Sequence, residues 1–278
     1  MIVATKVRLQ AEQIKPKIGS RVLNTKDELL SGQLAEEIND LLEQRGVLIF
    51  PMVRFTDAEQ VAFTDTLGKF AKEIRGQDVF PITLDKKVNQ EAAEYLKGSL
   101  FWHIDGTMNP VPIRGSILSS KVLPSWGGNT EFANTYAAYD DLPQARKDEI
   151  DGLRVVHSMW NTGLYHTPEP TLAQLDDWQS KGEVVLPLVW KHRSGRKSLV
   201  LGNTAARVVG LEPKESAKLL HGLREWATSE PYHYAHHWSV GDAVMWDNTG
   251  SLHRATPYDP DCGRLLHRTI LQGDEPFA

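Results

Sequence analysis

Between Leu34 and Arg45, apolar side chains fall at Leu34, Ile38, Leu41 and Leu42 with charged residues between them, the spacing of one buried helix face. Gly46 then stands where a helix often stops. The unbroken run Val47-Leu48-Ile49-Phe50, closed by Pro51, predicts a buried strand. Thr56-Asp57-Ala58-Glu59 has the spacing of a capping box and predicts a second helix running to about Leu67, before Gly68. The N-terminal part of the chain, up to about residue 75, therefore reads as helix, strand, helix.

From Gly115 onward the pattern changes to short strand-like runs: Ser116 to Val122, Val184 to Trp190, Ser198 to Leu201, Ala243 to Trp246 and Thr269 to Leu271. Turn residues separate them, at Pro124-Ser125-Trp126-Gly127-Gly128, Ser194-Gly195 and Ser239-Val240-Gly241-Asp242. Many short strands with long connections predict a mainly β fold, a sandwich or jelly roll with helices packed outside. Two stretches, Asp85 to Ser99 and Ser158 to Gly182, follow neither period and are long enough to be functional loops. No repeat, low-complexity tract or linker divides the sequence, so a single domain over residues 1–278 is expected.

Composition narrows the function classes. With 41% apolar and 24% charged residues, the chain can bury a sizeable core and is not disordered. Its formal charge of −5 gives no general attraction to phosphate backbones, which disfavours nucleic-acid binding. One cysteine, Cys262, excludes an intramolecular disulfide and any multi-cysteine metal site. No secretory signal is read at Met1 to Lys6, and no apolar stretch reaches the roughly 20 residues that span a bilayer, so a cytoplasmic protein without membrane contacts is expected.

Candidate chemistry is concentrated in Phe101-Trp102-His103-Ile104-Asp105-Gly106. At a strand end His103 and Asp105 would share a face, with Trp102 and Ile104 turned into packing. Alone, a His-x-Asp triplet is commonly no more than a surface pair. Further along, Gly241-Asp242-Ala243-Val244-Met245-Trp246-Asp247-Asn248 reads as a turn and a strand, followed by His253. Two histidines and one carboxylate on one face form the facial triad of non-haem Fe(II) oxygenases, which leaves positions for a 2-oxo acid and dioxygen. Arg264, eleven residues beyond His253, has the planar fork to hold the far carboxylate of such a co-substrate.

Taken in order, these segments resemble the taurine/2,4-dichlorophenoxyacetate dioxygenase (TauD/TfdA) family of Fe(II)- and 2-oxoglutarate-dependent oxygenases. The resemblance begins at Arg45-Gly46-Val47-Leu48-Ile49-Phe50 and runs through Phe63 to Gly68, Trp102-His103-x-Asp105 and Leu123-Pro124-Ser125-x-Gly127-Gly128-Asn129-Thr130-Glu131-Phe132. It continues through Ala137-Ala138-Tyr139, Ser194-Gly195-Arg196-Lys197, Trp246-Asp247-Asn248, His253 and Arg264-x-x-x-Arg268. It implies a double-stranded β-helix, or jelly roll, with flanking helices. It makes His103, Asp105 and His253 the catalytic iron ligands. Thr130 and Arg264 then bind 2-oxoglutarate, and Arg268 lies near both the co-substrate and an anionic substrate group. Relatives that transfer halide lack the carboxylate ligand, so Asp105 favours hydroxylation, with release of succinate and CO2. The resemblance also implies a homo-oligomer, a dimer or tetramer. One departure is Thr249, where many relatives carry arginine after Trp-Asp-Asn; a local salt bridge or substrate contact is in doubt there.

Ser99, Leu100, Phe101, Met108, Met159, Trp160 and Tyr165 are expected near the substrate, suggesting an apolar or aromatic body with Arg268 at an acidic head group. Phenoxyalkanoate-like and sulfonate-like acids fit. Trp102 and Trp246 read as packing beside the metal strands. His233, His236 and His237 read as a solvated or interface segment, His157 and His166 as polar loop residues, and His267 as a brace for the arginine strand. Competing readings are a binding or zinc-dependent jelly roll without 2-oxoglutarate turnover and a nucleic-acid demethylase, whose basic groove is not evident.

Overall fold

The computed structural model describes residues 7–73, 76–90 and 92–278; Met1 to Lys6, where no secretory signal was read, lie outside the described residues. An eight-stranded sheet runs in the order Ala11–Gln13, Ser20–Val22, Val47–Phe50, Ala243–Asp247, Gly115–Val122, Leu265–Leu271 and Phe70–Ala71, with Phe80–Ile82 also pairing against Leu265–Leu271. Alternation along these strands sorts their side chains. Leu48, Phe50, Ile117, Ala243, Met245 and Leu271 meet Ile38 and Leu42 of helix Ala35–Arg45 and Phe63 and Leu67 of helix Asp57–Leu67. Val47, Ile49, Leu118, Val244, Trp246 and Leu266 form the other face, where they meet Phe132. Phe132 belongs to a three-stranded sheet, His233–His236, Thr130–Asn134 and Ser251–Ala255, and the candidate metal ligands lie at its edge.

The helix–strand–helix reading holds for Ala35–Arg45, Val47–Phe50 and Asp57–Leu67, but the first part also contains strands Ala11–Gln13, Ser20–Val22 and Phe70–Ala71 and the short helix Lys26–Leu30, which that reading lacks. Gly46 caps the first helix with φ 73°, a left-handed conformation that favours glycine. Thr56 and Glu59 make both hydrogen bonds of the capping box. Other expectations are corrected. The run Val184 to Trp190 is two strands: Glu183–Pro187 pairs with Arg154–Ser158, whereas Val189–Lys191 pairs with Lys197–Leu199. Pro187 has no N–H to continue a ladder, and the chain changes sheets there. The two supposed loops are largely helical. The first contains helix Ala92–Leu96 and a 3-10 turn over Lys97–Leu100; the second contains helices Met159–His166 and Leu172–Ser180. The latter pair meets closely at Gly163, where a Cβ would lie 2.5 Å from the Trp178 ring.

His233 and His236 lie in a strand rather than a solvated stretch, and His236 is buried with its Nε2 3.2 Å from Asp242 Oδ2, whereas His237, just beyond the strand, is exposed as expected. His157 is likewise buried, in strand Arg154–Ser158, with Nδ1 2.9 Å from Thr204 Oγ1. Burial lowers His157 to about 3, and burial with help from Arg196 lowers His192 to about 4, both from 6.5. These groups therefore stay neutral in the folded chain while their unfolded counterparts gain protons below about pH 6.5. Proton uptake by the unfolded state alone lowers stability as pH falls. We expect the unfolding free energy obtained from urea melts to drop between pH 7 and 5, by up to about 1.4 kcal/mol per pH unit for each histidine. His157→Asn and His192→Gln should flatten that slope; an unchanged slope in both variants would refute this origin.

Candidate active site

His253 sits in the middle of strand Ser251–Ala255, opposite Phe132. The His103 backbone pairs with it through two reciprocal hydrogen bonds of 3.0 Å, which sets the two imidazoles side by side at 4.1 Å between centroids. Trp102 and Ile104 turn the other way into the core, and the Arg254 guanidinium lies over the Trp102 ring at 4.6 Å. Asp105 is fixed by Asn248, which is fully buried after strand Ala243–Asp247. Asn248 Oδ1 accepts from the Asp105 N–H at 2.9 Å, and its Nδ2 donates to the carbonyls of Asp105 and Ile113 at 2.8 and 3.0 Å. This clamp orients one candidate ligand by backbone bonds alone.

The three sequence-predicted ligands converge. Asp105 Oδ1 lies 3.6 Å from His103 Nε2, and Asp105 Oδ2 lies 3.6 Å from His253 Nε2. One donor atom from each residue lies within 4.8 Å of the other two. His103 Nδ1 donates to the Phe101 carbonyl at 2.8 Å, and its Nε2 faces the carboxylate. Burial holds His253 down to about 4, leaving it neutral at neutral pH. Burial opposes ionisation of Asp105, but the Arg268 guanidinium is the largest of the opposing influences, which together hold the carboxyl well below the usual range. Two imidazole nitrogens and a carboxylate face one point. A divalent cation matches that donor set.

The triad opens into a cavity of about 530 Å³. Thr130 is buried in its wall, and Trp238 Nε1 donates to Thr130 Oγ1 at 3.1 Å, which leaves the hydroxyl proton free to point elsewhere. Arg264, also in the wall and 2% exposed, gives Nε and Nη2 to the Gly128 carbonyl at 3.2 and 2.9 Å and lies 4.6 Å from the Tyr258 ring. The Gly-Gly pair is needed for this approach: a Cβ at Gly128 would stand 2.9 Å from Arg264 Nε, and one at Gly127 would stand 2.0 Å from the Pro257 carbonyl oxygen. Arg268 points into the cavity from strand Leu265–Leu271. Its neighbour His267 points to the helical face and bonds Asp57 at 2.7 Å, as a brace.

Ser99, Met108 and Met159 line the cavity as expected. Phe101 and Trp160 do not, and this corrects their assignment. Phe101 packs on Tyr165 at 5.2 Å, and Trp160 Nε1 reaches Glu183 at the surface at 3.3 Å. Leu100 and Tyr165 are also absent from the wall. Thr249 occupies the departure from the family pattern by donating its N–H and hydroxyl to Asp247 Oδ1 at 2.9 and 2.6 Å, with the Tyr136 hydroxyl 3.1 Å away. Sequence reasoning missed Glu73, Tyr95, Thr162 and Asn203, all in the wall, and gave no role to Asn248 or Trp238. Glu73 stands in a polar stretch with no motif around it. Asn248 and Trp238 flank a readable strand, yet their partners are distant in sequence.

Comparisons with known proteins agree with this geometry. Residues 10–270 match the family described as taurine catabolism dioxygenase TauD, TfdA family. The sequence is 36% identical over 239 residues to the (S)-phenoxypropionate/alpha-ketoglutarate-dioxygenase of Sphingobium herbicidovorans, covering 82% of each chain. It is 33% identical over 268 residues to the alpha-ketoglutarate-dependent 2,4-dichlorophenoxyacetate dioxygenase of Cupriavidus pinatubonensis, covering 89% of this chain and 91% of that one. Among solved structures, AAD-2 in complex with Mn(II) and N-oxalylglycine superposes with a TM-score of 0.83 at 29% identity, over 98% of this chain and 100% of that one. With this match over nearly its whole length and a His-Asp-His cluster at the centre of its cavity, the chain belongs to the TauD/TfdA family of 2-oxoglutarate-dependent dioxygenases.

Proposed function

We propose that this chain hydroxylates a small organic acid with an apolar or aromatic body, using Fe(II), 2-oxoglutarate and dioxygen, on a double-stranded β-helix (jelly roll) that forms one domain. The convergence of His103, Asp105 and His253 in a cavity that also holds Thr130 and Arg264 carries the reading. Substrates of the relatives support the acid class, since the names of two of them specify phenoxypropionate and 2,4-dichlorophenoxyacetate. The single domain is supported by one sheet that takes strands from Ala11–Gln13 through to Leu265–Leu271. No helix among the described residues is long and apolar enough to cross a membrane. A cytoplasmic homo-oligomer is the accompanying reading, favoured by the single cysteine and the family resemblance.

Iron with 2-oxoglutarate, when bound, supplies oxidation of a substrate C–H bond by dioxygen, with succinate and CO2 as co-products. The residues do the rest. His103, Asp105 and His253 would hold the iron; the Asn248 clamp fixes the Asp105 backbone, and Arg268 Nη1 holds its carboxylate. Arg264 presents a charged fork to the distal carboxylate of the co-substrate. Because Trp238 already donates to Thr130 Oγ1, the Thr130 hydroxyl proton would be available to the co-substrate. Ile82, Leu118, Met108 and Met159 add apolar surface to the cavity wall, to which helix Met159–His166 contributes Met159 and Thr162.

Anaerobic titration tests the reading. Adding Fe(II) and 2-oxoglutarate to the apo-protein should produce the visible absorption of a 2-oxo acid chelated to ferrous iron. Succinate release coupled to oxygen uptake should then identify active acids in a panel. No absorption and no succinate would sink the proposal in favour of a binding or zinc-dependent protein.

A further inference from the structure

The cavity holds a second carboxylate that the chemistry above does not use. Glu73 is 5% exposed overall, and both of its side-chain oxygens lie on Arg268, Oε1 at 2.7 Å from Nε and Oε2 at 2.9 Å from Nη2. The remaining Arg268 nitrogen, Nη1, donates to Asp105 Oδ2 at 3.1 Å. That bidentate edge is the geometry with which arginine takes a carboxylate from a ligand. Two other cations of the wall are paired with carboxylates, Lys72 with Asp78 and Arg254 with Glu131, and Arg264 is the one assigned to the co-substrate.

Charge arithmetic sharpens the point. Arg264 and Arg268 balance Asp105 and Glu73, and a divalent metal balances the dianion of 2-oxoglutarate. The loaded centre is then neutral before substrate arrives. An acidic substrate would leave an uncompensated negative charge in a buried site, which is costly. Without the Glu73 charge, the same acid would bring the centre to neutrality.

Resting on the reading that the substrate is an organic acid, we propose that Glu73 is a specificity-determining residue: it occupies the carboxylate-binding edge of Arg268 and opposes every acid that enters the cavity. Glu73 raises the affinity that the rest of an acid substrate must supply, so weakly held acids are rejected. Neutral molecules of the same shape escape this selection.

Calorimetric titration of the full chain loaded with Mn(II) and N-oxalylglycine tests this, with phenoxyacetate as the acid and phenoxyacetamide as its neutral counterpart. Glu73→Gln and Glu73→Ala should bind phenoxyacetate at least about tenfold tighter than the unaltered protein, the scale of removing a like charge from an interface. Phenoxyacetamide affinity should change by less than about twofold in both, since no charge is opposed. Glu73→Asp should keep the original ranking of the two probes. Unchanged or weaker phenoxyacetate binding in both variants, an equal gain for the amide, or no binding of phenoxyacetate to any of the proteins overturns the proposal. Loss of N-oxalylglycine binding in the variants alone also overturns it, because Glu73 would then be a structural support. Failure of the unaltered protein to bind N-oxalylglycine would count against the oxygenase reading itself.

Discussion

Asp105→Ala should abolish 2-oxoglutarate turnover, with succinate release falling by more than about a hundredfold, since loss of even a partner behind a metal ligand costs 10–100-fold. Asp105 is the only carboxylate of the His103–Asp105–His253 cluster, and each of its oxygens lies 3.6 Å from one imidazole. Removing it leaves two imidazole nitrogens and no anionic ligand, a weak site for a divalent cation. The fold should survive, because Arg268 keeps its bidentate partner Glu73 and the Asn248 clamp acts on the Asp105 backbone, which alanine retains. The check is Fe(II) affinity and succinate release beside the urea midpoint. Full activity in Asp105→Ala, or loss of activity explained entirely by unfolding, would contradict the assignment. Asp105→Asn is the finer variant: it keeps the shape, removes the charge, and should lose activity nearly as completely.

Much of this site was legible before any coordinates. The spacing of His103 and Asp105 gives two side chains on one face, and the segment order from Trp102 to Arg268 identifies their partners. What the spacing does not contain is the backbone pairing of His103 with His253, residues 150 apart in sequence. Arg268 illustrates the limit. Alternation along Leu265–Leu271 places it on the cavity face with Leu266 and opposite His267, which the sequence permits. Its engagement by Glu73 depends on how strands Phe70–Ala71 and Phe80–Ile82 dock on the same edge, a tertiary fact without a local signal. The helices at Met159–His166 and Leu172–Ser180 were misread for a different reason. They are short, polar on several sides and only partly buried, so periodicity is weak, although the Thr171–Gln174 capping box was available. Phe101 and Trp160 were placed in the pocket because they are aromatic and close to it in sequence, yet both turn outward onto neighbouring elements.

Arg264→Ala should raise the KM for 2-oxoglutarate by roughly a hundredfold or more, as expected when one partner of a buried charged contact worth about 2–5 kcal/mol is truncated. Arg264 is nearly inaccessible, and burial lowers its pKa against the opposing influence of Tyr258. A buried guanidinium held by one carbonyl and an aromatic face, with no carboxylate against it among the described residues, is a charge kept ready for an incoming anion. Arg264→Lys should recover only part of the loss, because an ammonium cannot hold the Gly128 carbonyl and a carboxylate with one planar fork. The discriminating measurement uses 2-oxobutyrate, a 2-oxo acid without the distal carboxylate. If Arg264 grips that carboxylate, the variants should use 2-oxobutyrate within about threefold of the unaltered protein while losing 2-oxoglutarate, since the missing contact is one this molecule never made. A parallel loss for both co-substrates would show that Arg264 supports the wall of the cavity rather than the acid, and the co-substrate assignment would have to move to another cation.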